Sequence, residues 1–98
     1  MTLEIKRSAK ETTIKVVGRL DSFTAPVLEK MINKLACDNP RIVLEMSGLE
    51  QISDTGVSVL LGAHKKMGEI GSLRLKGVGK SVMDTLRANG CADVFAIS

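Results

Sequence analysis

Apolar and polar residues alternate through Leu3-Glu4-Ile5-Lys6 and again through Thr13-Ile14-Lys15-Val16-Val17-Gly18-Arg19-Leu20, which predicts two strands with one face buried, joined by a turn over residues 8–12. After Leu20 the period changes. Thr24-Ala25-Pro26 supplies an N-cap and a first-turn proline, and Leu28, Met31, Ile32 and Leu35 follow at helical spacing, so an amphipathic helix runs to about Asp38-Asn39-Pro40. The apolar run in Arg41-Ile42-Val43-Leu44-Glu45-Met46 predicts an interior strand, and residues 47–52 then read as a short loop.

Ser53-Asp54-Thr55-Gly56 opens a second helix that ends near Met67 or Gly68. Strict alternation over residues 72–78 predicts a further strand. A third helix spans about Lys80 to Asn89, with Val82, Met83 and Leu86 on one face and Gly90 placed to end it, and Val94 to Ile97 make a last short strand. The order is ββαβαβαβ, an α/β fold in which crossovers make the later strands parallel within a mixed sheet of four or five strands. Glu4, Lys6, Lys15, Arg19, Arg74 and Lys76 stand opposite the apolar positions of their strands, so one sheet face meets water and the helices cover mainly the other. No repeat or linker interrupts residues 1–98, and 98 residues suit a single core.

Composition narrows the chemistry. The chain holds two Phe and neither Trp nor Tyr, too few aromatic rings for a platform that stacks bases, and a net charge of +3 is mild, so nucleic acid is not the expected partner. One His and two Cys cannot furnish a zinc site, and no cofactor or catalytic group is expected. The first residues lack the apolar run of a signal peptide, which makes the cytoplasm the default compartment. The longest apolar stretch, residues 57–63, is too short to insert in a bilayer. Gly77-Val78-Gly79-Lys80-Ser81 places Gly-Lys-Ser where a phosphate loop would, but Arg74 stands where that motif needs its first glycine, so the segment reads as a turn feeding a helix. His64 lies on the helical stripe of Val57, Leu60 and Leu61 with no nucleophile at relay spacing and reads as a half-buried or surface residue. Cys37 and Cys91 lack the basic surroundings of a reactive thiolate.

The start of the second helix carries the most information. There the unpaired N–H groups and the helix dipole favour an anion, while capping by Ser53 or Asp54 accounts for the same residues equally well. Along that helix Ser58, Gly62, Lys65 and Glu69 form an outward stripe, small near its start and charged farther on. Gly62 within a helix costs about 1 kcal/mol relative to Ala, which suggests close packing at that point, inside or outside the domain.

Three segments in order, residues 18–25, 42–49 and 52–61, make the chain resemble the STAS domain of bacterial anti-sigma-factor antagonists, over nearly its whole length. In that family a Ser or Thr at the start of the second long helix is phosphorylated by a GHKL-type partner that is both anti-sigma factor and serine kinase. The unphosphorylated domain binds the partner and frees the sigma factor, and a phosphatase resets the switch. A charge of about −1.5 to −2 added at a contact centre is sufficient to break a fitted interface. Read in register, the acceptor position is Asp54, which a serine kinase cannot modify, so the resemblance implies either a permanent imitation of the phosphorylated state or binding without phosphate control. Ser53 and Thr55 are the neighbouring hydroxyls that could substitute as acceptors.

The partner surface implied by the family comprises Asp21, Ser53, Asp54, Thr55, Gly56, Ser58, Gly62 and Lys65. A rival implication is the STAS subunit of a bacterial phospholipid ABC transporter, which docks on its ATPase; a sensory module with a small ligand is a third. Many members continue past the last strand into a further helix. This chain stops at Ser98, so it reads as a minimal version of the domain whose open edge or face a partner or a second copy, making a homodimer, would cover.

Overall fold

The computed structural model describes residues 1–97; Ser98, the last residue of the expected domain, lies outside them. Its elements are β1 (Thr2–Arg7), β2 (Thr12–Leu20), α1 (Ala25–Ala36), β3 (Arg41–Ile52), α2 (Asp54–Ile70), β4 (Ser72–Lys76), α3 (Lys80–Ala88) and β5 (Ala96–Ile97). The strands form one five-stranded sheet in the order β1-β2-β3-β4-β5, with β1 antiparallel to β2 and every other pair parallel. The expected ββαβαβαβ order and mixed sheet are therefore present.

Alternation sorts the two faces of the sheet. Ile14 and Val16 of β2, Ile42, Leu44 and Met46 of β3, and Leu73 and Leu75 of β4 are buried and share a core with Leu28, Ile32 and Leu35 of α1, Leu60 and Met67 of α2, and Val82 and Leu86 of α3. Each fully buried side chain of this kind contributes about 1.5–3 kcal/mol relative to an exposed one. On the opposite face the register aligns Glu4 with Lys15, Lys15 with Glu45, and Glu45 with Lys76, a row of alternating charge crossing four strands. Opposite charges directly across a sheet are favourable, and this row lets the bare face remain in water.

Several boundaries differ from expectation. Residues 47–52 continue β3 rather than forming a loop, because β2 keeps pairing with them across two irregularities, ending with Arg19 opposite Gln51 and Leu20 opposite Ile52. The strand expected over residues 72–78 stops at Lys76, where Gly77 takes a positive φ of 67° and turns the chain toward α3. β5 holds only Ala96 and Ile97 of the expected four residues, and α2 runs on to Ile70. The inner face of β1 is less buried than its alternation suggests. The helices pack over β3 and β4, so Ile5 at the sheet edge remains 39% exposed. Gly90, with φ 68°, ends α3 as expected, its N–H donating to the Arg87 carbonyl.

Candidate functional site

Two helix starts meet at the C-terminal ends of β2 and β3. Ser53 links them, since its N–H donates to the Leu20 carbonyl at 2.9 Å while its Oγ accepts from the Gly56 N–H at 3.1 Å and so caps α2. Gly56 is buried beneath this corner. A methyl group there would stand 2.7 Å from the Leu20 oxygen and 2.9 Å from Ile52 Cγ1, so only glycine lets α2 begin this close to β2. Gly56 thus shapes the surface assigned to it in the sequence and does not itself line it.

Asp54 and Thr55 are exposed on the first turn of α2. A carboxylate there is favoured by the helix dipole, typically by about 0.3–1 kcal/mol. Its Oδ1 also accepts from Asn89 Nδ2 at 3.2 Å, and the same amide donates to the Thr85 carbonyl at 2.8 Å, so the end of α3 is tied to the start of α2. Thirty-five residues separate Asp54 from Asn89, and no sequence signal links them.

The loop from β2 to α1 is built on Asp21. Its Oδ1 accepts from the N–H groups of Phe23 at 2.9 Å and Thr24 at 3.0 Å, and these bonds hold its carboxyl below the usual carboxylate range. Thr24 occupies the N-cap position expected of it, but its side chain does not cap α1. Instead its hydroxyl donates to the Arg19 carbonyl at 2.8 Å and accepts from the Asp21 N–H at 2.9 Å. Asp21 and Ser53 border a pocket of about 250 Å³ that is also lined by Arg19, Leu20, Gln51 and Ile52. Arg19 had been assigned only to the outer strand face, and Gln51 to a loop; both are drawn into this pocket by the extended pairing of β2 with β3.

Ser58, Gly62 and Lys65 form the exposed stripe of α2 expected from their spacing. Nothing lies within 4 Å of where a Gly62 side chain would begin, so the domain itself supplies no packing reason for that glycine. On the other side of α2 His64 is half-buried, as its stripe implies. Its ring meets Phe95 edge-on at 5.3 Å, and its buried Nδ1 has no hydrogen-bond partner among the described residues. Cys37 is exposed and Cys91 buried, both free thiols, and burial pushes the Cys91 thiol up. No helix among the described residues is long and apolar enough to cross a membrane.

The chain as a whole is similar to known proteins in sequence and in fold. The anti-sigma-B factor antagonist of Bacillus subtilis (strain 168) is 22% identical over 99 residues, covering 100% of this chain and 91% of that protein. The anti-sigma-F factor antagonist RsfB of Mycobacterium tuberculosis (strain CDC 1551 / Oshkosh) is 30% identical over 57 residues, 57% of this chain and 47% of that protein. In fold, the crystal structure of an anti-sigma factor antagonist from Mycobacterium paratuberculosis superposes with a TM-score of 0.85 at 23% identity, covering 98% of this chain and 83% of that one. The family model for the STAS domain matches residues 2–98, and the chain belongs to that family.

Proposed function

We propose that this protein is a non-enzymatic, cytoplasmic anti-sigma-factor antagonist that binds an anti-sigma factor with serine kinase activity of the GHKL type, and that Asp54 gives the contact surface a constant negative charge where relatives carry a switchable one. The observation that supports this most directly is the exposed carboxylate on the first turn of α2, next in the chain to Ser53, which borders one pocket with Asp21, and at the head of the Ser58, Gly62 and Lys65 stripe. A constant charge sets the affinity for the partner once, whereas phosphorylation would toggle it and a phosphatase would reset it. The two neighbouring hydroxyls differ. Ser53 is half-buried with its oxygen engaged by the Gly56 N–H, whereas Thr55 is exposed. The curated relatives named above are sigma-factor regulators, which favours this reading over an ABC-transporter subunit.

Incubation with the anti-sigma kinase and ATP, read by intact-protein mass, tests the reading. The wild-type chain is expected to gain no phosphate while Asp54→Ser gains one. Phosphate on Ser53 or Thr55 of the wild type would overturn the constant-charge reading. Asp54→Ser should also change affinity for the partner before ATP is added; an unchanged affinity would remove Asp54 from the contact.

A further inference from the structure

The two edges of the sheet differ in what they offer. At one, β5 presents only Ala96 and Ile97; at the other, β1 presents six residues, Thr2–Arg7, paired with β2 on one side and with no strand among the described residues on the other. We infer that β1 is a pairing edge for a second copy of this chain, the two strands running antiparallel about a two-fold axis at Ile5 so that Glu4 of each copy faces Lys6 of the other. This does not rest on the function proposed above. Three observations carry it.

The edge is built to pair. β1 holds no Pro or Gly, and its register with β2 runs from Thr2 to Arg7 without the irregularities that interrupt β2 against β3. Such an edge is a template for a further strand unless proline, a bulge or charge blunts it. Every residue of β1 except Leu3 is exposed, and the helices pack over β3 and β4, leaving Ile5 39% exposed on the apolar side of the sheet.

Charge then selects a register. Two antiparallel copies of β1 keep their apolar residues on one face only when the axis passes through a residue, and only axes at Glu4 or Ile5 keep five of the six residues paired. An axis at Glu4 sets two carboxylates face to face, which is destabilising. An axis at Ile5 instead gives two Glu4–Lys6 pairs on the wet face, and on the other face Ile5 against Ile5 flanked by Leu3 against Arg7. Lys6 and Arg7, which would turn away a strand of like charge, are thus matched by the strand's own sequence.

The same register continues a pattern already present. The row Lys76, Glu45, Lys15, Glu4 alternates in sign across the sheet and ends at the β1 edge, where Lys6 of a second copy supplies the next member. Within its own chain Lys6 stands across from the uncharged Thr13, and neither Glu4 nor Lys6 is in an ion pair among the described residues. A contact one strand wide falls at the small end of specific interfaces, below about 1,200 Å² in total, so the association is weak and concentration-dependent.

Sedimentation equilibrium at low salt, up to about 1 mM protein, tests this. The wild type is expected to dimerise, less so as salt is added. Glu4→Lys and Lys6→Glu, each checked for an intact unfolding transition, should each weaken self-association at least about fivefold. An equimolar mixture of the two should associate again, since each chain then meets opposite charge at both pairs. Amide exchange of the wild type, which needs no variant, should slow along β1 as concentration rises. A wild type that stays monomeric, a dimer indifferent to both variants, a mixture that does not associate, or β1 exchange independent of concentration would overturn the inference. Loss on Glu4→Lys alone would move the axis to Glu4 and overturn the register.

Discussion

The two acidic helix starts at one end of the sheet carry the same functional group to opposite purposes. The Asp21 carboxylate is turned to its own loop, its Oδ1 accepting from the Thr24 and Phe23 N–H groups. The Asp54 carboxylate, one turn into solvent, meets a single side-chain amide from another helix. An acid engaged by backbone donors builds local structure, and one that meets only a side-chain amide on an exposed turn contributes less to it.

The sharpest way to break this arrangement is at the corner that joins the two starts. Gly56→Ala forces a methyl group against the Leu20 carbonyl and Ile52, and should cost about 1–3 kcal/mol in urea unfolding, the usual range for overpacking. A smaller effect is expected from Asp21→Asn, which keeps the shape of the side chain but removes the charge that the Phe23 and Thr24 N–H groups stabilise. The folded-state value of the Asp21 carboxyl lies below its unfolded value, so its stabilisation is complete above the unfolded value and is lost as pH falls through the folded one. The difference in unfolding midpoint between wild type and Asp21→Asn should therefore shrink as pH falls below about 4. A constant difference across that range would show that Asp21 acts without its charge. The least effect on folding belongs to Asp54→Asn, within about 0.5 kcal/mol as for exposed positions generally. A loss near that of Asp21→Asn would mean that both acids are structural and would end the contrast.

Most of the architecture could be read from local pattern, because alternation and helical spacing are local properties and the core here follows them at Ile14, Val16, Leu28, Ile32, Leu44 and Leu60. The continuation of β3 through Ser47-Gly48-Leu49-Glu50-Gln51-Ile52 was hidden, since that stretch has the composition of a loop and becomes a strand only by pairing with the irregular end of β2. Asp54 was found through the order of its neighbours in the sequence. Asn89 was not, because its bond to Asp54 depends on where α3 ends relative to α2. Phe23 sat in plain view in a familiar segment, yet its exposure follows from the Asp21 turn and from no spacing rule.

The row Glu4, Lys15, Glu45, Lys76 has a consequence for what can lie against that face of the sheet. Stripping water from four charges spread across a flat surface is costly, and a visitor would have to match their order sign by sign. That face discourages casual adhesion in a crowded cell without needing to be covered. The same charges that keep this face in water therefore make it a poor surface for a second sheet to pack on.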